Sequence, residues 1–345
     1  MKGRKLLIVT IVIFSILLTT LSFYIYQIVK TPNILVEQDD RHLLIPNGAT
    51  FDTVRDSLFH GKFLTDAVSF SFLAKQMDYQ ENVKPGRYLL KGDMTNIEAI
   101  RLLRSGSQTP VNITFNNVRT IPDLAAKICQ NIHLTPDELL PLLQDSATIA
   151  QYGFSQGNII GMFIPNTYEV YWTTSGENLL GKMYDEYQKF WNDERTAKAN
   201  ELDMNLQEVA TLASIVEAEQ LTHADERKRI AGLYINRLKR GMKLDSDPTL
   251  IFAGGDFTVK RVLDKDKEID SPYNTYIHGG LPPGPIYLPS ISSIDAVLNY
   301  ESHQYLYMCA KEDFSGYHNF ATNLTQHLRY ARLYQNELNR SRVYR

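Results

Sequence analysis

The feature that most constrains this chain is an uncharged apolar run from Leu6 to about Tyr26, preceded by Lys2, Arg4 and Lys5. As an α-helix, a run of this length spans roughly 30 Å, the thickness of a bilayer's hydrocarbon core. Basic residues ahead of a span favour a cytoplasmic N-terminus, which puts the rest of the chain outside the cytoplasm. Tyr24 and Tyr26 suit the far interface, where amphipathic rings settle. A cleaved signal peptide is the competing reading. Its apolar region is usually shorter, about 7–15 residues. No small-x-small cleavage site follows either: the next residues are Gln27, Ile28, Val29 and Lys30. The expectation is a single-pass anchor in the cytoplasmic (inner) membrane, with residues 1–5 cytoplasmic, 6–28 in the bilayer and 29–40 a linker. No second run of this length follows, which excludes a polytopic transporter.

The 345 residues are enough for two or three modest domains. A net charge of −3 and the lack of a basic stripe argue against a nucleic-acid partner. The two cysteines, Cys129 and Cys309, show no CxxC spacing, so they read as two separate buried thiols and not as a metal or redox pair. Tyrosine is abundant, at 20 residues. Its ring faces suit sugar packing, although half-buried structural positions explain it as well.

Residues 41–108 have the texture of a small α/β module. Leu43-Leu44-Ile45 reads as a strand and Pro46-Asn47-Gly48 as a turn. Phe51, Val54 and Leu58 recur at helical spacing, as do Phe70, Leu73, Ala74 and Met77. Lys84-Pro85-Gly86 breaks the chain before a second strand, Arg87–Leu90. Thr95 and Glu98 form the capping-box pattern of a helix that stops before Gly106. This β-α-α-β order with a following helix resembles a LysM-like glycan-binding module. Residues 109–200 read as a connecting, mostly helical region, with Thr135-Pro136-Asp137-Glu138 opening one helix and Leu179–Trp191 forming another. Between them, residues 161–168 form an aromatic stretch that reads as a pocket wall or a turn.

Residues 201–345 hold the densest chemical signal. Leu206, Val209, Ala210, Ala213 and Val216 make an apolar helical stripe that runs into Glu217-Ala218-Glu219. A carboxyl in a partly dry pocket has its charged form disfavoured, and can then hold a proton near neutrality. Residues two apart on a helix diverge by roughly 200°, so the two acids cannot share one role. Periodicity alone does not choose between them, and two solvated charges at a helix end remain a possible reading.

Further motifs carry a family resemblance. Residues 212–219 (LASIVEAE), 226–252 (ERKRIAGLYINRLKRGMKLDSDPTLIF), 271–286 (SPYNTYIHGGLPPGPI) and 305–327 (YLYMCAKEDFSGYHNFATNLTQH) follow one another in order. Together they resemble the endolytic murein transglycosylases of the YceG-like type, and the resemblance extends over essentially the whole chain. It implies an α+β protein: an N-terminal transmembrane helix, a LysM-like module and a mixed α/β catalytic domain. It also implies that Glu219, the second acid of the pair, is catalytic and that Glu217 is a supporting residue. The sequence departs from the family pattern at Ala218, where Lys is frequent, and at Phe115-Asn116-Asn117-Val118, where a Glu-Gly turn is frequent.

Tyr273, Asn274 and Thr275 offer a ring, an amide and a hydroxyl suited to a sugar, and are expected to bind substrate. Asp247, with Pro248 next, reads as a helix N-cap and a support. Leu281-Pro282-Pro283-Gly284-Pro285 is a rigid loop, at a cleft edge or purely structural. His318 and His327 lack metal-ligand spacing with an acidic partner, so no zinc site is expected, and the resemblance implies a reaction that needs neither metal nor cofactor. The basic stretch from Arg227 to Lys243 reads as a solvated helix face.

The resemblance implies cleavage of peptidoglycan between N-acetylmuramic acid and N-acetylglucosamine with formation of 1,6-anhydro ends. It further implies a role in terminating nascent strands, with the cytoplasmic membrane and peptidoglycan synthases as partners. A hydrolytic muramidase, or a non-catalytic peptidoglycan-binding scaffold, are the alternatives.

Overall fold

The computed structural model describes residues 2–35, 41–259 and 262–340. Two compact units divide the chain. The first comprises Met1–Asn112 with the short segments Asn131–Leu134 and Glu169–Thr174. The second comprises Ile113–Gln130, Thr135–Tyr168 and Ser175–Arg345.

In the first unit, α1 (Lys2–Lys30) is one continuous helix. Among the described residues it is the one helix long and apolar enough to cross a membrane, and its apolar side chains from Leu6 to Tyr26 are exposed on all sides, whereas Ile28 is buried in the core of this unit. The remainder follows the order β1 (Arg41–Ile45), α2 (Phe51–His60), α3 (Ala67–Gln76), β2 (Gly86–Leu90) and α4 (Asn96–Ser105). β1 and β2 pair antiparallel, with Leu43 opposite Tyr88. The inward residues Leu43, Ile45, Tyr88 and Leu90 meet Leu58, Phe70 and Ile100 in one core. The Thr95–Glu98 capping box is formed, and Gly106 ends α4 in the left-handed region at φ 76°. A side chain is strained in that conformation.

The linker expected over 29–40 is not a free tether where it is described. Pro32 bridges to Thr95 and Ile34 to Leu64. Asn33 is buried: its amide donates to Asn96 Oδ1 at 2.7 Å and its carbonyl accepts from the Asp66 N–H at 2.7 Å. Asn96 in turn donates to the Ile28 carbonyl oxygen and to Ser69 Oγ. A polar side chain is buried here because every group finds a partner. Residues 36–40 of that linker lie outside the described part.

β3 (Val111–Phe115) pairs with β4 (Asn166–Val170), and most of both strands belongs to the second unit. Between them in sequence come α5 (Ile121–Ile128), α6 (Pro136–Gln144) and α7 (Ser146–Ala150). The stretch at 161–168 is not a pocket wall: Met162, Phe163 and Tyr168 are buried, and Phe115 stacks on Tyr168. Alternation too short to stand out in the sequence made the start of β4 there. Then follow α8 (Gly176–Phe190), α9 (Asp193–Glu201), α10 (Leu206–Glu219), α11 (Arg227–Lys239), α12 (Asp247–Gly254) and α13 (Ile291–Leu298). The hairpin of β5 (Tyr307–Ala310) and β6 (His318–Ala321) and the helix α14 (Leu324–Arg340) close the unit.

α10 is the axis of this unit. Asn205 and Glu208 close a capping box at its start. Val209, Leu212, Ala213, Ile215 and Val216 are fully buried, each worth about 1.5–3 kcal/mol for its larger side chains. α11, α12 and α13 pack around it.

Candidate active site

α10 ends at Glu219, and the side chain of the next residue secures that end. Gln220 is buried; its side-chain oxygen Oε1 accepts from the N–H groups of Thr222 and His223, and its side-chain –NH₂ donates to Glu226 Oε2 and the Gly316 carbonyl oxygen. Arg227 closes over the same helix end, donating to the Gln220 and Leu221 carbonyl oxygens and to the hydroxyls of Ser292 and Ser293. A cation at a helix C-terminus satisfies the free carbonyls there.

Glu219 lines a cavity of about 410 Å³. Tyr234, one helix across on α11, donates to Glu219 Oε1 at 2.6 Å, and Ser246 donates to the same oxygen at 2.5 Å. No described residue donates to Oε2. Tyr234 and Ser246 are themselves buried, whereas Glu219 keeps partial access through the cavity. Burial pushes the Glu219 carboxyl above its ordinary 4.5, and the repulsion of Asp247 adds to this. The two hydroxyl donors and the imidazole of His318 act in the opposite direction without cancelling it. Tyr234 is held far above its ordinary value, by burial first and then by Glu219, so it stays a proton donor.

The β5–β6 hairpin forms another wall. Ala310 pairs with His318, whose Nδ1 lies 2.8 Å from Glu226 Oε2 while its backbone N–H donates to Glu226 Oε1. Glu226 is buried. Burial alone would raise its carboxyl, but the bonds from His318 and Gln220 outweigh it, and the group lies below its ordinary value. Tyr307, Cys309 and His327 also line the cavity. Cys309 is therefore half-exposed and not a buried thiol as expected, while Cys129 is buried; both are free.

Glu217 points away, as the spacing requires. It is buried and its Oε2 accepts from the Ser290 N–H at 2.6 Å, anchoring the start of α13. Asp247 is the first residue of α12, and Ser246 holds the cap position. The Asp247 carboxylate instead accepts from the Tyr276 hydroxyl at 2.6 Å, at the rim of the Glu219 cavity.

The three residues expected to bind a sugar lie elsewhere. Asn274 is fully buried, with its amide donating to the Lys267 and Ile269 carbonyl oxygens and its own oxygen accepting from Tyr276 N–H. Thr275 is also buried; it accepts from the Ser246 N–H and shares a hydrogen bond with Thr249. The Tyr273 hydroxyl donates to the Gly157 carbonyl oxygen. Their polar groups hold the chain that presents Ser246 and Tyr276, and it is Tyr276 that reaches the cavity. Tyr234, Ser246 and Gln220 were not singled out in the sequence, since a lone hydroxyl or amide carries no spacing signal.

The basic stretch is a solvated face only in part: Lys228, Lys239, Arg240 and Lys243 are exposed. Arg227 and Arg237 are both buried. Arg237 donates to the carbonyl oxygens of Lys243, Leu244 and Leu306 and to Asp245. The Leu281–Pro285 loop packs on Gly157, where a side chain at Gly284 would collide with the Gly157 carbonyl. It borders a separate hollow of about 550 Å³, in which Glu208 is already engaged in capping α10.

The sequence pattern of the YceG-like family matches residues 43–333. A protein of Streptococcus pneumoniae serotype 2 (strain D39 / NCTC 7466) named endolytic murein transglycosylase is 27% identical over 89% of this chain. One of the same name from Bacillus subtilis (strain 168) is 29% identical over 81%. The chain spans 61% of the length of the pneumococcal protein and 81% of that from B. subtilis. The crystal structure of a YceG-like protein from Listeria monocytogenes aligns with a TM-score of 0.55 at 27% identity, covering 85% of this chain and 99% of that one. With the family pattern running across most of its length, this chain belongs to the YceG-like family.

Proposed function

We propose that this chain cleaves peptidoglycan glycan strands endolytically, as a lytic transglycosylase with Glu219 as its single acid–base group. The observation that carries this reading is the asymmetry of the Glu219 carboxyl. Two hydroxyls donate to Oε1, so Oε1 is the carbonyl-like oxygen and the proton resides on Oε2, which faces the cavity without a donor among the described residues. Burial favours the protonated form and raises the carboxyl above its ordinary value.

The reaction follows from this. The Oε2 proton passes to the oxygen between N-acetylmuramic acid and N-acetylglucosamine as the C1–O bond breaks. The muramic C6 hydroxyl attacks C1 and closes a 1,6-anhydro ring, and its proton returns to the Glu219 carboxylate. One group thus serves as acid and then as base, and no water is consumed. The relatives named endolytic murein transglycosylase support the choice of substrate and reaction. The apolar α1 fits a single-pass anchor with the remaining chain outside the cytoplasm, near the peptidoglycan synthases whose nascent strands it would terminate. The β-α-α-β module over 41–108 fits a LysM-like role in holding glycan.

The test is mass spectrometry of glycan strands digested by the full chain in detergent, with Glu219→Gln as control. Anhydro-muramic ends that vanish in the variant support the proposal. Reducing muramic ends point to a muramidase, and cleavage by the variant at the wild-type rate sinks the assignment of Glu219.

A further inference from the structure

On the other side of α10 from the Glu219 cavity lie two adjoining hollows of about 720 and 190 Å³. They share Arg119, Leu221, Phe257 and Tyr287, and Ala218 and Phe252 extend the smaller one. The hollows and the cavity are divided by a narrow ridge. Ala218 faces the groove and Glu219 the cavity; Pro248 faces the groove and Asp247 the cavity. Consecutive residues on a helix diverge by about 100°, so one short rim serves both sides.

Among the described residues the smaller hollow is mainly apolar, the larger one mixes polar and apolar groups, and one cation is available. Leu221 is 62% exposed and Phe257 37%, large apolar groups that a chain ordinarily covers. Each other charged group at the groove has a partner. Glu217 accepts from Ser290, Asp123 from Thr120, and Lys127 donates to the Asn116 carbonyl oxygen. Arg119 is exposed, lies 5.0 Å over the Phe257 ring, and makes no ion pair or hydrogen bond with a described residue. A guanidinium held over a ring keeps its outward N–H groups in a plane suited to a carboxylate.

We propose that this groove takes the peptide stem of the muramic acid residue whose bond is cut, with Arg119 receiving a stem carboxylate. The proposal rests on the transglycosylase reading and adds a preference to it. In peptidoglycan the stem branches from the muramic sugar, so a sugar seated at Glu219 must send its stem sideways. The ridge at Ala218 and Pro248 is the short way over, and beyond it lie apolar surface for the stem's side chains and, among the described residues, one cation without an ion pair for its acid groups. A strand stripped by an amidase keeps only the short lactyl carboxylate on each muramic sugar and has no stem carboxylate to carry over the ridge to Arg119.

The experiment compares rates of the full chain in detergent on two substrates: glycan strands with stems intact, and the same strands stripped by an amidase. Wild type is expected to favour stem-bearing strands. Arg119→Ala is expected to lower the ratio of the two rates roughly tenfold, the scale of one charge-assisted hydrogen bond at a half-exposed site, and Arg119→Lys to recover part of it. Because Arg119 is exposed, the fold is retained. Calorimetric titration of Glu219→Gln protein with N-acetylmuramyl pentapeptide gives an arm independent of cleavage: affinity should fall about tenfold when Arg119→Ala is added. An unchanged rate ratio together with unchanged peptide affinity overturns the proposal, as does equal slowing on both strands, which would make the groove a sugar site. If wild type cut neither strand, the transglycosylase reading would fail, and the titration would still decide the groove.

Discussion

Ser246 Oγ donates to Oε1 of Glu219 at 2.5 Å, from the residue that opens α12, and Thr275 fixes that donor from below by accepting the Ser246 N–H. The capping position of α12 is thus used for Glu219, since Ser246 makes no side-chain cap bond of its own. Tyr234 adds the second donor from α11. Both of these donors act on one oxygen of the carboxyl, Oε1.

Glu219→Gln is expected to abolish cleavage, a loss at or beyond the top of the roughly 10²–10⁴-fold range for acid–base transfer, because in the proposed reaction one group serves both half-steps. The amide oxygen can still accept from Tyr234 and Ser246, so the fold persists. The stability change has a definite sign. A carboxyl raised in the folded state binds its proton more tightly there than in the unfolded chain, so its stabilising share is complete below the ordinary 4.5 and is lost as pH rises through the folded value. The variant should therefore melt higher than wild type at neutral pH, with the gap closing toward acid. Thermal melts across pH 4–8 test this; a constant gap would contradict a raised Glu219.

Tyr234→Phe keeps the buried ring and removes one donor. That donor lowers the Glu219 carboxyl, so its loss raises the group further. Since the first step needs the protonated form, the alkaline limb of kcat/KM should move to higher pH. The plateau rate should fall roughly 10- to 100-fold, the worth of a hydrogen bond to a charged group. A limb that moves down in pH would show that Tyr234 does not act on Glu219.

Much of this arrangement is legible in the sequence, and what is not has a physical reason. The apolar run, the β-α-α-β order and the Thr95–Glu98 capping box depend on local spacing, which a sequence displays. The roughly 200° between Glu217 and Glu219 likewise follows from helix geometry. The roles of Asn274 and Thr275 do not: a polar residue looks the same whether it faces a sugar or satisfies a buried backbone. Arg227 and Arg237 mislead for a related reason. Their charges suggest solvent, but the loops around them present carbonyl oxygens that only the tertiary fold brings together.

Arg237→Met should expose that difference. Removing the guanidinium leaves the Lys243, Leu244 and Leu306 carbonyl oxygens without their donor. A buried polar group left unpaired costs about 1–3 kcal/mol. The melting temperature of the variant should fall by several degrees, whereas Arg240→Met, at an exposed position, should change it little. Equal effects in calorimetry would restore the solvated-face reading.

Glu226→Gln tests the wall opposite Glu219. The Glu226 carboxylate lies below its ordinary value: burial opposes this, but the His318 imidazole, the His318 N–H and the Gln220 amide together prevail. For a depressed carboxyl the sign reverses. Its stabilising share is present above the ordinary 4.5 and is lost as pH falls through the folded value. Wild type should therefore melt higher than Glu226→Gln at neutral pH, and the two should converge toward acid, opposite to the Glu219 pair. Activity should fall as well, because an amide –NH₂ facing His318 Nδ1 no longer fixes the ring that borders the Glu219 cavity. Melts of both variants in one buffer series decide the matter: parallel curves for Glu226→Gln and wild type from neutral pH to well below 4.5 would mean the carboxylate contributes no charge-dependent support to that wall.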